Sequence, residues 1–256
     1  MSSGRHSEPP ILTSHGRPLV VELVGPAGAG KSSLLHALGQ RNRMITALSS
    51  YRGPIGYLPV WVGTALWKLP RLLPACRTVP GISLKELRLM VHLMSMHRLL
   101  DRVRPRERRV TVLDQGPVYM LTRLWCCGLD KADDRTLVTW WNAMLSCWAS
   151  RVQLVVWLDA PTAILVERIR RRTKWHLIKG GSEEEAARFL VAVRVGYEQI
   201  VARLTDNDGP EVLRFDTAAQ SVGEVATQVL GALGAEGAPS GQGRGTRDAV
   251  SLGDTR

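Results

Sequence analysis

Apolar residues fall along the chain in two alternating rhythms. Short, nearly continuous runs rich in valine and leucine predict strands at Pro18–Val24 (PLVVELV), Arg109–Leu113 (RVTVL), Val152–Leu158 (VQLVVWL) and Val212–Phe215 (VLRF), with a weaker candidate at Met44–Leu48. Runs of this kind suit strands covered on both faces, as in a parallel sheet. Between them the apolar positions recur at helical spacing. The clearest case is Ser83–Arg102, where Leu84, Leu87, Met90, Val91 and Met94 predict a single stripe. Ser83 with Glu86, Ser182 with Glu185, and Ser221 with Glu224 fit a reciprocal helix cap, and Pro161 suits a first helical turn. Strands alternating with helices predict an α/β fold of three layers, α/β/α, around a five-stranded, mostly parallel sheet. The sequence contains no internal repeat.

The same pattern divides the chain. Residues 1–17 and 234–256 are polar and rich in Ser, Pro and Gly, and are expected to be disordered tails around a domain at 18–233. Within it, residues 50–105 form an insertion full of Trp, Leu and Pro. Its apolar part, Leu58–Pro80, is broken by Lys68, Arg71 and prolines, so it lacks the run of about 20 apolar residues that a membrane span needs. An amphipathic element packed on the domain is expected there, with a mobile cover over a cleft or a surface-seeking, peripheral membrane element as alternatives. No signal-peptide core precedes the first strand, which argues for a cytoplasmic protein with reduced thiols. The cysteines, Cys76, Cys126, Cys127 and Cys147, have no metal-ligand spacing, and the adjacent pair in YMLTRLWCC is expected to be buried packing. His92 and His97 read as ordinary helix residues.

Charge adds a partner. With 256 residues and a formal net charge of +11, the chain is built to meet an anion, whether nucleotide, nucleic acid or membrane surface. Gly25, Pro26, Ala27, Gly28, Ala29, Gly30, Lys31, Ser32 and Ser33 (GPAGAGKSS) narrow the choice, because they match the phosphate-binding loop G-x-x-x-x-G-K-[ST] in full. An apolar strand enters the loop, and a helix with Leu34, Leu35 and Leu38 on one side leaves it. Successive backbone N–H groups and a helix N-terminus cradle phosphate, Lys31 neutralises the outer phosphates, and Ser32 is a Mg²⁺ ligand. ATP and Mg²⁺ are the expected cofactors.

Other residues complete the chemistry. Asp114 follows the strand RVTVL and is placed to hold Mg²⁺ or to accept the proton of a phosphoryl acceptor. Asp159, after the next strand, competes for the metal but reads better as a helix-start residue. Arg168, Arg171 and Arg172 stand three and four residues apart, share a helix face and suit polyphosphate charge, as the start of an arginine-rich lid at about 168–182 with Lys174, His176 and Lys179.

Together GPAGAGKSS, LDQGP, VVWLDAPTAILVERIRRR, VRVGYEQI and VLRFDTAAQSVGEV resemble the thymidylate kinase-like and deoxynucleoside kinase-like P-loop proteins, over about 18–49 and 109–233. The resemblance implies a P-loop NTPase fold, roles for Asp114, Arg168 and Arg172 beside acceptor and lid, and a further role for Arg194. Gln115 departs from the family, which carries an arginine there, and the insertion at 50–105 matches none of its acceptor-recognising segments. A kinase moving the γ-phosphoryl of ATP to an unusual small-molecule acceptor is expected, alone or as a homodimer. The alternative is a nucleotide-dependent ATPase or regulatory protein that binds a protein or nucleic acid. The basic run Arg102–Arg109 supports nucleic acid, but it lacks stacking aromatics, so nucleic acid is disfavoured. The absence of N-K-x-D and LSGGQ segments argues against a GTPase and an ABC-type ATPase.

Overall fold

Every one of the five apolar runs becomes a strand. The computed structural model describes residues 19–49, 57–102, 110–171, 181–206 and 209–234. Strands β1 (Leu19–Val24), β2 (Ile45–Ser49), β3 (Val110–Asp114), β4 (Leu154–Asp159) and β5 (Glu211–Asp216) form one sheet in the order β2-β3-β1-β4-β5. All four pairings are parallel, so the sheet is wholly rather than mostly so. β1 lies at the centre because its burial is complete, residue by residue. The chain crosses from β1 to the far edge at β2 and returns through β3 before turning to the opposite side. That reversal opens a crevice at the carboxyl ends of the strands, where doubly wound folds bind ligands.

Pleating sorts the core into two halves. Leu19, Val21 and Leu23 of β1 face α1 (Lys31–Arg41), α6 (Thr162–Arg171) and α8 (Val222–Ala232), while Val20 and Val24 face the other helices. This second layer holds α2 (Tyr57–Cys76), α3 (Leu84–Arg102), α4 (Pro117–Cys126), α5 (Arg135–Ala149) and the long α7 (Glu183–Thr205). The caps at Ser182 with Glu185 and Ser221 with Glu224 are both reciprocal, and Asp134 caps α5. Ser83 and Glu86 are hydrogen-bonded to each other at the head of α3. The first bond of α6 runs from the Leu165 N–H to the Pro161 carbonyl, which puts Pro161 one residue before the helix.

Two expectations are corrected. Leu84 does not join the stripe of α3: it is 82% exposed at the helix end, and the buried set is Met90, Val91, Leu93, Met94 and Met96. The helix is covered on more than one side by α2 and α4, so a single stripe underestimates its burial. Cys126 is exposed rather than packed, because α4 turns Val118, Leu121 and Leu124 inward and leaves Cys126 on the cleft side; Cys76 is the buried thiol. Burial pushes the Cys76 thiol up to about 11 and His92 down to about 4, which leaves both neutral. The insertion supplies α2, a helix laid on α3 and α5 that, unlike the amphipathic element expected, carries large apolar side chains on its outer face too. No helix among the described residues is long and apolar enough to cross a membrane. The predicted tails, apart from Gly234, lie outside the described residues, as do Arg172, Lys174, His176, Lys179 and residues 103–109 of the basic run.

Candidate phosphate and acceptor site

The sharp exit from β1 needs glycine. Gly25 has φ +131°, and a Cβ there would collide with the Leu158 carbonyl of β4; Gly28 has φ +90° and packs against Leu165 of α6. Gly30, again left-handed, caps α1, and neither a capping side chain nor an acid occupies the first turn of that helix. The positive end of the α1 dipole therefore faces the loop with no acid in the first turn to offset it, which suits an anion. The Lys31 ammonium folds back on the loop and donates to the Gly25 carbonyl at 2.6 Å and the Pro26 carbonyl at 2.9 Å. Pro26, Gly28 and Ala29 are buried, Ala27 is half-buried, and Ser32 and Ser33 are exposed at the mouth.

Cavities open on both sides of this loop and meet at Gly30. The first, about 410 Å³, is lined by Gly30, Ser33, Leu158, Arg168, Thr217 and Val222. Arg168 forms its wall. Its guanidinium donates to the Thr217 hydroxyl at 2.9 Å, the Thr217 carbonyl at 2.8 Å and the Gly28 carbonyl at 3.4 Å. It thereby ties α6 to the phosphate loop and to the segment after β5. Arg171 of the cluster serves the surface instead, pairing with Glu167 at 2.6 Å, as its neighbour Arg170 does with Glu183 at 3.6 Å.

The second cavity, about 310 Å³, collects Lys31, Ser32, Asp114, Gln115, Arg123 and Phe189, among others. Asp114 ends β3 one strand away from the loop, with Leu23 of β1 as its register partner. Gln115 follows with φ +60°, a left-handed conformation that costs a non-glycine residue on the order of 1 kcal/mol. Arg123, two turns into α4, lies 3.7 Å from Glu86 and is the cation that α4 adds to this cleft. A third hollow, about 810 Å³ between α5 and α7, is larger than either but carries none of the phosphate-binding groups.

Glu22 stands beneath the second cavity, fully buried in β1. Its carboxylate accepts the Val118 N–H at 2.8 Å and the Tyr119 N–H at 3.0 Å, so the central strand caps the N-terminus of α4. A Cβ on Gly116 would press on the same carboxylate. Burial raises the Glu22 pKa to about 8, with the nearby Asp114 adding to the rise and the two N–H groups opposing it. Tyr197 of α7, itself buried, closes this compartment and contacts Trp157 edge-on, ring centres 5.9 Å apart.

Asp159 does not cap α6, whose first bond runs to the Pro161 carbonyl. Its two oxygens receive the Arg194 guanidinium at 2.6 and 2.9 Å, so it binds α7 to the end of β4, and it accepts only the Ala160 N–H from the chain that leads into α6. Arg194 also donates to the Ala160 carbonyl at 3.1 Å. The pattern of the sequence did not reveal Glu22, Arg123, Thr217 or Tyr197. A signal existed for Glu22, the lone acid of the apolar run PLVVELV. The others are brought to the site by packing between distant segments.

A phosphate loop after the central strand of a 2-3-1-4-5 parallel sheet, with an acid ending the neighbouring strand, is the fold of the P-loop nucleoside and nucleotide kinases, and this chain has it. Among solved structures it is similar to the thymidylate kinase of Candida albicans, with a TM-score of 0.50, 16% identity, and 83% of this chain and 89% of that one covered. It is also similar to a deoxyadenosine kinase of M. mycoides with bound dATP (TM-score 0.48, 14% identity, 83% and 99% covered) and to a shikimate kinase of Bacteroides thetaiotaomicron (0.45, 10%, 83% and 96%). At these identities the likeness is one of fold. No family model matches the sequence, and no curated protein matches it either.

Proposed function

We propose that the chain is an ATP-dependent kinase that moves the γ-phosphoryl to a small-molecule acceptor seated beside Asp114. The observation that carries this reading is the placement of Lys31, Ser32 and Asp114 around one cavity while a second cavity opens across the same loop. An ATPase needs only a water near the γ-phosphate. Two chambers meeting at Gly30 suit two substrates.

The roles follow from the groups present. The cavity walled by Arg168, Thr217 and Val222 takes the base and ribose, and the N–H groups at the start of α1 take the phosphates. Lys31 exchanges the Gly25 and Pro26 carbonyls for phosphate oxygens and holds the charge that develops during transfer. The new bond joins the acceptor oxygen to the γ-phosphorus as the bond to the β-phosphate oxygen breaks, and Asp114 is placed to receive the acceptor proton. The Ser32 hydroxyl and the Asp114 carboxylate are hard oxygen donors on one cleft, which fits Mg²⁺; when bound, the ion neutralises phosphate charge. Arg123 gives the acceptor side a cation where Gln115 offers none.

The test is an acceptor screen with labelled ATP and nucleosides, nucleoside monophosphates and polar hydroxylated metabolites. Lys31→Ala is expected to lower turnover by about 10²–10³-fold. Undiminished turnover in that variant would overturn the site, and ATP binding without transfer to any acceptor would overturn the kinase reading.

A further inference from the structure

The exposed face of α2 is apolar along its length. Leu58, Val62 and Leu66 repeat every four residues at 65%, 40% and 73% exposure, Trp67 beside them is 68% exposed, and Pro70 and Pro74 continue the row. A helix of this length runs about 30 Å. The opposite face is already satisfied: Val60, Ala65, Leu72, Ala75 and Cys76 are buried in the core. The outer row is therefore no spare part of the fold. Large apolar side chains in an unbroken exposed row mark a surface that meets something else.

The segment that carries that row is strongly basic. From Tyr57 to Arg98 the chain carries Lys68, Arg71, Arg77, Lys85, Arg88 and Arg98, and its single acid, Glu86, is buried and occupied by Ser83. Two copies of so basic a segment laid against each other would bring like charge together. An anionic lipid surface attracts such a segment. Lys and Arg stems reach the headgroups while Leu and Trp enter the boundary of the acyl chains, and Trp favours that depth. Lys68 and Arg71 keep the helix from crossing, in line with its insufficient apolar length.

The geometry points to α2 as a membrane-docking helix that lies in the surface of a bilayer containing anionic phospholipid, through Leu58, Val62, Leu66 and Trp67. This holds whether or not the chain is a kinase.

Sedimentation of the full chain with vesicles tests it. We expect binding to phosphatidylcholine vesicles that contain phosphatidylglycerol, a much weaker signal on pure phosphatidylcholine, and loss of binding as salt rises. Leu66→Ser/Trp67→Ser is expected to weaken binding by about ten-fold or more, and Lys68→Glu/Arg71→Glu to abolish the preference for anionic vesicles. Far-UV circular dichroism and a thermal melt verify that each variant is folded. Failure of the parent chain to sediment with anionic vesicles overturns the proposal, as does unchanged binding by the Leu66→Ser/Trp67→Ser variant. A dimer in solution that the same variant dissociates, with no vesicle binding, assigns the face to a second copy instead and overturns it as well.

Discussion

Glu22 is the residue that most rewards close measurement. A carboxyl in the central strand would ordinarily be excluded from a core, and it is tolerated here because two backbone N–H groups of α4 meet it. Its pKa rises from 4.5 to about 8, so the folded chain holds a proton that the unfolded chain releases. The associated stability is full below pH 4.5 and is lost as pH rises through about 8. In Glu22→Gln, which keeps the shape and has nothing to ionise, this slope is expected to vanish. Urea unfolding of both proteins across that range, in the absence of magnesium, should show the parent losing ground to the variant as pH rises; parallel curves would mean that Glu22 does not titrate there. At this scale the sequence was partly legible. GPAGAGKSS and Asp114 stand where a phosphate loop and a strand-end acid should. Asp159 misled because its neighbourhood is full of helix-start signals, whereas its true partner, Arg194, comes from 35 residues away.

At the level of elements, the inner strands β1, β3 and β4 were visible because double-sided burial writes a continuous apolar run, the part-exposed edge strands β2 and β5 wrote shorter or weaker ones, and the reciprocal caps were visible because they need only residues three apart. Leu84 and Cys126 were misread for the converse reason: which side of a helix is covered depends on neighbours that periodicity does not name. The junction between β1 and α1 is the element least able to change. Gly25→Ala would need a left-handed alanine and would drive its Cβ into the Leu158 carbonyl, parting β1 from β4. We expect it to destabilise the chain by more than about 1 kcal/mol and to remove ATP binding, whereas Gly39→Ala, mid-helix with open space around it, should be neutral or stabilising. Thermal melts of the two variants side by side make the comparison, and equal melting temperatures would contradict the steric account.

Across the whole molecule, Arg168 shows how the halves are tied. One guanidinium reaches the phosphate loop and the segment after β5, which stand near opposite ends of the domain's sequence. Arg168→Ala is expected to cost about 1–3 kcal/mol of stability. It should also shrink the rise in melting temperature that saturating ATP produces. Arg168→Lys should restore little of either, because a single nitrogen replaces the planar fork whose two nitrogens reach the Thr217 hydroxyl, the Thr217 carbonyl and the Gly28 carbonyl. A full ATP-dependent shift in the alanine variant would remove Arg168 from the nucleotide pocket. The resemblance seen in the sequence reached this scale as fold alone, since the acceptor side is assembled from α4 and α7 by packing.

That division has a consequence for how such a protein can diversify. The phosphate loop, Asp114 and Thr217 hang from the ends of β1, β3 and β5, whose spacing is fixed by the hydrogen-bonded sheet. Tyr119, Arg123, Phe189 and Val193, which shape the other chamber, ride on helices that can be rewritten without disturbing a single ladder bond. For the kinase proposed above, selection could therefore exchange one acceptor for another while the groups proposed to grip the donor are inherited unchanged.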